Sequence, residues 1–291
     1  MANFYERIDE NKRNSLILIF FVFLLVLLVV YVFSFLFFGD GIISIFVGLA
    51  CSLLYIAFTY FLADSMVLAL GGAREAKKGE FPYLVNTVEG VAIAAGLPTP
   101  KIYVVDDPAL NAFAVGTSPE KASVAFTTGL LSSLNRAELE WVIAHELSHI
   151  KNQDSRMATL LVVMVGLIGI LSDFGLRSFF YRGSGDRDRG GGGLMIIISL
   201  VVMILAPIVV QVVRLALSRE REYLADATGA QLTRYPEGLA SALNKIKAKG
   251  SVVQHTPESI ASLYIANPMS FTGFFATHPP IDERIKRLRE M

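Results

Sequence analysis

The sequence predicts a mainly α-helical membrane protein of about four transmembrane helices, joined to a soluble α+β domain with a small sheet. Three observations lead there. Hydrophobic residues make up 53% of the chain and charged residues only 18%, both displaced from the soluble average toward a membrane protein. The apolar residues gather into long runs at 16–38, 42–63, 157–176 and 194–213. The stretches 64–156 and 214–291 have soluble character and together resemble one domain of ordinary size.

Residues 16–38 contain neither charge nor proline. That length lets a helix cross a hydrocarbon core of about 30 Å with some tilt. A signal peptide is the alternative, but its apolar region would be only about 7–15 residues, ending at small side chains; this run is longer and ends in Phe37-Phe38. Gly39-Asp40-Gly41 is a tight turn into the second run, so residues 1–63 read as an N-terminal segment and a helical hairpin (helices about 16–38 and 42–63). Arg7, Lys12 and Arg13 precede the hairpin, Arg74, Lys77 and Lys78 follow it, and its turn carries no cation. The positive-inside rule therefore places both ends in the cytoplasm.

The second pair of runs, within 157–213, encloses an Arg- and Gly-rich loop from Arg177 to Gly193. If this pair spans fully, Arg177, Arg182, Arg187 and Arg189 sit on the disfavoured side, offset in part by Asp173, Asp186 and Asp188. Run length favours full spanning; the rival reading is a shallow hairpin packed on the soluble domain. The soluble domain is thus split into 64–156 and 214–291. Lys101–Val105, Asn111–Val115 and Ser123–Thr127 alternate like strands, and a short sheet with an open edge can bind an extended peptide by main-chain pairing. Asn111 at a strand start either caps or holds a substrate carbonyl. A formal net charge of zero gives no sign of a nucleic-acid partner. The single cysteine, Cys51, rules out an intramolecular disulfide and a Cys-based zinc site.

The chemistry concentrates in His145-Glu146-Leu147-Ser148-His149, an H-E-x-x-H pattern. On a helix the two imidazoles lie one turn apart on one face, where both can reach one zinc ion. Glu146 sits beside the metal, placed to take a proton from an attacking water. Asn135 followed by Glu138 starts the helix as a capping box, and Leu139, Val142, Ile143, Leu147 and Ile150 recur at helical spacing. Arg136, Glu138 and Glu140 before the motif, with Lys151, Asn152 and Asp154 after it, place it outside the lipid. An incidental pair of histidines on an amphipathic helix is the bland reading, and the matching features elsewhere in the chain weigh against it.

A catalytic zinc needs a third protein ligand. The extended pattern H-E-x-x-H-x-x-G-x-x-H fails, since Asn152 and Ser155 stand where Gly and His would. Glu220, Glu222 and Asp226 are the candidates. Glu222 and Asp226 share a helix face, so one can bind zinc while the other accepts the second ring N–H of a ligating histidine. A solvated, salt-bridged helix end is the alternative for that stretch. His278, in His278-Pro279-Pro280, is either a donor to the oxyanion of a tetrahedral intermediate or a surface residue in a Pro-bounded turn. His255 lies in a polar loop and carries no role.

With these residues in place the chain resembles the HtpX family of membrane zinc metalloproteases, relatives of the CAAX prenyl endopeptidases. The resemblance covers nearly the whole length. It rests on Gly72–Ala76, Asn111–Ala114, Thr127–Leu131, Ala144–Asn152, Arg221–Asp226, Thr277–Pro280 and Arg284-Ile285, in that order with helical hairpins between. It implies a gluzincin-type endopeptidase domain on about four helices in the cell (inner) membrane, its active site facing the cytoplasm. His145, His149 and Glu222 would ligate one zinc ion, Glu146 would be the general base, and Asp226 would orient a ligand. Asn111, Ala112, Phe113 and His278 would meet substrate or the transition state. Polypeptide substrates, membrane proteins above all, and a role in quality control of damaged membrane proteins follow from the same resemblance. The chain departs at Val115-Gly116-Thr117-Ser118, where many members have Thr-Gly-Arg, so cleavage preference does not carry over. Two rival readings are a prenyl-protein processing protease and a non-catalytic membrane scaffold with a vestigial zinc site.

Overall fold

The computed structural model describes residues 38–160, 162–163, 219–250, 253, 260–266 and 278–291, with scattered positions between 13 and 35. Most of the expected second hairpin, its Gly-rich loop and His255 lie outside the described residues.

Helix α1 (Gly41–Leu70) starts where the Asp40 carboxylate accepts from the Ile42 and Ile43 amides at 2.8 and 3.0 Å. Among the described residues it is the one helix long and apolar enough to cross a membrane, with a mean hydropathy of 2.3. Ser44, Gly48 and Ser52 make a buried stripe of small residues. A Cβ on Gly48 would stand 3.1 Å from Leu27 Cδ1 and 3.5 Å from the Leu27 carbonyl, so the preceding segment packs closely here. The helix extends beyond the expected 42–63. One face of its last turns packs on the domain: Ala63, Val67 and Leu68 are buried under the sheet, and the helix stops only at Gly71, before Gly72 with φ 64°.

The sheet comprises β1 (Ala73–Glu75), β2 (Lys101–Val105), β3 (Ala112–Val115) and β4 (Ser123–Thr127), in the order β1-β2-β4-β3. Strands β1 and β2 are antiparallel, β2 and β4 parallel, β3 and β4 antiparallel. Three of the four coincide with the alternating segments, β3 starting one residue later. The three-residue β1 is too short to alternate and forms only through its pairing with β2.

Both faces of the sheet are covered. Val104, Ala112, Ala114, Val124 and Phe126 point into a core shared with α2 (Pro82–Ala95), α4 (Arg136–Lys151) and α6 (Glu237–Lys249). Val105, Phe113, Val115 and Ala125 point the other way, onto the end of α1 and residues 260–264. Further helices among the described residues include α3 (Thr128–Ser133), α5 (Arg219–Thr233) and α7 (Ile281–Arg289).

Helix α4 is buried almost all round, because α2 and the sheet cover one side and α5 and α6 the others. Two glycines show how tight this packing is. On Gly238 of α6 a Cβ would overlap the Trp141 indole, whereas on Gly90, mid-α2, it would meet nothing within 4 Å. Gly238→Ala should therefore destabilise the protein by about 1–3 kcal/mol. Gly90→Ala, the same chemical change, should stabilise it by about 0.5–1 kcal/mol. Thermal unfolding of both variants in detergent checks the opposite signs.

Candidate metal centre

Helix α4 begins with a full capping box: the Asn135 side chain accepts from the Glu138 amide, and Glu138 accepts from the Asn135 amide. Burial would raise the Glu138 carboxyl pKa, but bonds from Lys245, Ser241 and the Asn135 amide hold it below its usual range. Lys245 and Ser241, each at 2.7 Å, tie the helix start to α6. The far end lies over the cleft. There α4 stops at Asn152, and Gln153 takes φ 59°, a left-handed conformation that costs a non-glycine residue roughly 1–2 kcal/mol. A new helical stretch, 154–160, then starts with Asp154.

The motif histidines converge as their spacing requires. His145 Nε2 and His149 Nε2 stand 3.2 Å apart. From α5, Glu222 brings Oε2 to 3.6 Å from His145 Nε2 and Oε1 to 3.5 Å from His149 Nε2. Ligand atoms bound at about 2.0–2.1 Å around a tetrahedral ion lie roughly 3.3–3.4 Å from one another. The two Nε2 atoms stand at about that spacing, Glu222 offers one oxygen near each of them, and His145, His149 and Glu222, with one ligand atom each within 4.8 Å of one another, form the potential metal-holding cluster among the described residues. Glu146 Oε1 and Glu222 Oε2 are buried with no hydrogen-bond partner, which suits one carboxylate aimed at a cation and another at a reactant. Glu220, the competing candidate, lies on the exposed side of α5.

Each imidazole has a carboxylate behind it. Asp226 Oδ1 lies 3.0 Å from His145 Nδ1, and Asp154 Oδ2 lies 3.3 Å from His149 Nδ1. Arg284 of α7, fully buried, donates to both oxygens of Asp226 at 2.9 and 2.7 Å and to the Ile265 carbonyl at 3.0 Å. Neither Asp154 nor Arg284 belongs to the metal motif. Arg284 did leave a signal: α7 carries Ile281, Ile285 and Leu288 at helical spacing, and Arg284 is a cation on that apolar stripe. Asp154 left only its acidity one step beyond a helix end.

Burial would lower the His145 pKa, but hydrogen bonds to Asp226 and Glu222 outweigh it and bring it to about 9. Burial raises the Glu146 carboxyl, against the opposing pull of His145 and His149. Glu222 is held well below the carboxylate range despite burial, by the charges of His278 and His149 and the bond from His145. His278, its side chain 10% exposed, lies 3.8 Å from Glu222 Oε1; burial drives it down to about 4, so its ring is neutral near neutrality.

The cleft over these groups is walled by Ala114 of β3, by 154–158, by Arg221 and Glu222, and by 262–265. Asn111 is fully buried and engages the chain itself: its Nδ2 donates to the Ala266 carbonyl at 2.8 Å and its Oδ1 accepts from the Ala266 amide at 3.3 Å. The Ile265 amide donates to the Ala112 carbonyl, and Phe113 bridges Tyr264. The expected open edge is therefore partly filled by 264–266. The bond between the Thr127 amide and the Asn111 carbonyl sets the ladder so that residues 112, 114 and 116 turn their amides and carbonyls away from β4. The antiparallel bridge of Phe113 to Tyr264 sets Leu263 opposite Ala114, the Gly116 amide meets Thr159 Oγ1, and Ala114 lines the cleft.

A buried helix bearing two histidines and a glutamate, completed by a glutamate from a second helix, defines the class: an H-E-x-x-H metallopeptidase. The sequence profile of Peptidase family M48 matches residues 78–291, and the chain belongs to that family. It is 48% identical over 296 residues to a Protease HtpX homolog of Dictyoglomus turgidum, spanning 99% of this chain and 95% of that one. A Protease HtpX homolog of Streptococcus pneumoniae is 41% identical, across 99% of both chains. The crystal structure of S. mikatae Ste24p aligns with a TM-score of 0.52 at 21% identity, over 90% of this chain and 62% of that protein. That last likeness concerns the fold alone, and the chain spans less than two thirds of that protein's length.

Truncating Arg284 would leave Asp226 buried with the His145 ring as its one remaining ionic partner among the described residues. Arg284→Ala should cost about 3–5 kcal/mol in the metal-free protein, and Arg284→Lys should restore only part, because an ammonium cannot span both Asp226 oxygens and the Ile265 carbonyl. Denaturant titration of the three proteins measures this. The raised His145 pKa also sets a pH signature. In the metal-free protein its contribution to stability is complete below 6.5 and is lost as pH rises through about 9. A metal must displace that proton, so zinc affinity should climb about tenfold per pH unit across this window and flatten above it. Chelator competition over a pH series is the measurement.

Proposed function

We propose that this chain is a zinc endopeptidase, anchored in the cell membrane by about four helices, with its cleft on the cytoplasmic side. The observation that carries the reading is the convergence of His145, His149 and Glu222, with ligand atoms within 4.8 Å of one another, beside the unpartnered Glu146 carboxylate oxygen. Arg74, Lys77 and Lys78 directly after α1 support the cytoplasmic assignment by the positive-inside rule. Damaged or misfolded membrane proteins are the substrates that fit a cleft built against the end of a membrane helix.

His145, His149 and Glu222 would hold the metal, which when bound supplies an acidified water and a positive charge for the developing oxyanion. Glu146, with its pKa raised by burial, takes the proton from the attacking water and delivers it to the leaving amine. His278 is neutral near neutral pH and offers an N–H to the oxyanion. Asp226 accepts from the Nδ1 side of His145 and so directs the Nε2 lone pair inward. Pairing of an extended substrate backbone with β3 at Ala114 requires that Leu263 move aside. A substrate contact at Asn111, Ala112 or Phe113 requires first that 264–266 leave the edge.

Glu146→Gln should keep stoichiometric zinc and lose about 10²–10⁴ in casein cleavage. Glu222→Ala should lose the metal. Full activity in the first variant would remove Glu146 as the base; retained zinc in the second would return Glu220 to consideration.

A further inference from the structure

His145 and His149 are each backed by a carboxylate, and the two come from unrelated parts of the fold. Asp226 is on α5, whereas Asp154 follows the helix break at Gln153. Asp154 is 5% exposed, with Oδ2 3.3 Å from His149 Nδ1, while His149 Nε2 faces His145 Nε2 at 3.2 Å and Glu222 Oε1 at 3.5 Å. An acceptor on Nδ1 fixes the tautomer with the proton there, which leaves the Nε2 lone pair for the metal.

We propose that Asp154 is a positioning residue for the metal centre, holding the His149 ring in the tautomer and orientation that bind zinc. The helix break serves this role. A continuous helix would send residue 154 past His149 along the axis, five positions on and off its face. The left-handed Gln153 instead ends α4 and turns Asp154 back beneath the ring. Arg221 lies within reach of the same field: burial disfavours its charge, and Asp154 and Glu222 support it. Its Nη1 donates to Met157 Sδ at 3.6 Å, which ties the guanidinium to the same stretch. Asp154 thus meets the His149 ring within the field of a buried cation.

The proposal rests on the reading of His149 as a ligand, and the experiment separates the two. Full-length protein in detergent would be prepared as wild type, Asp154→Ala, Asp154→Asn and His149→Ala. Zinc affinity would be measured by chelator competition at fixed pH, and visible spectra recorded on the cobalt(II)-loaded forms. Losing an outer partner of a ligating histidine weakens metal binding by about 10–100-fold. Asp154→Ala should fall near the upper end and show altered cobalt bands. Asp154→Asn should fall about tenfold, since its amide oxygen still accepts the Nδ1 proton but brings no charge. Wild-type affinity and spectrum in both Asp154 variants, with zinc lost in His149→Ala, would overturn the proposal and leave the site standing. Wild-type affinity in His149→Ala would overturn both. Should Asp154→Ala fail to fold, the isosteric Asp154→Asn decides alone: a wild-type cobalt spectrum and zinc affinity there refute the role.

Discussion

Placing several ions in one dry cleft costs several kcal/mol for each of them unless every charge meets its complement. Glu146, Glu222, Asp226 and Asp154 are all buried at the end of α4, and two guanidinium groups, Arg284 and Arg221, oppose these four carboxylates. With all four carboxylates ionised and the imidazoles neutral, the excess of negative charge equals that of one divalent cation. The raised pKa of His145 is the same fact seen from the ring: without a metal, the cluster recruits a proton. The rest of the fold can be understood as what holds these charges at ligand spacing. The capping box and the Lys245 tether fix where α4 starts, Trp141 against Gly238 fixes its depth, and Gln153 fixes where it ends.

Helix α1 has a part in this although it lies outside the cluster. Gly71 at its end leaves room for Phe113 and Ile260, since a Cβ there would stand 3.2 and 3.5 Å from those side chains. Phe113 in turn packs edge to face on Tyr264 at 4.9 Å between centroids. The strand beside the cleft and the segment lying on that strand are thus seated on the end of the apolar helix.

The parts of this arrangement legible in the sequence are those whose geometry is local. His145 and His149 are one helical turn apart by spacing alone, and Asn135 with Glu138 declares the start of their helix. Glu222 and Asp226 were recognisable as a pair for the same reason, but which of them faces the metal depended on resemblance, because it is decided by how α5 rotates against α4. Arg284 left only the sign of a cation on an apolar stripe, and Asp154 left no sign of its role, for a stronger reason. Their partners, Asp226 and His149, are chosen by long-range packing and by a single left-handed residue, and neither leaves a repeat. The filling of the β3 edge by 264–266 is likewise a contact across more than 150 residues, as the separation of Asn111 and Ala266 records. Alternation revealed the strand without revealing its occupant.

Arg284 joins these themes in one side chain. Two of its bonds go to Asp226, which orients His145, and a third goes to the Ile265 carbonyl, next to the residues that lie on the substrate edge. The metal shell and the cleft wall therefore share a donor. If 264–266 moves to admit a substrate strand, Arg284 loses a neutral acceptor but keeps its two bonds to the Asp226 carboxylate, and an ionised acceptor is the stronger partner for a guanidinium. Losing Asp226 would instead remove its two shortest bonds and leave the longer ion pair to Glu222 Oε2 at 3.4 Å. Arg284 is therefore held to the carboxylates more firmly than to the Ile265 carbonyl.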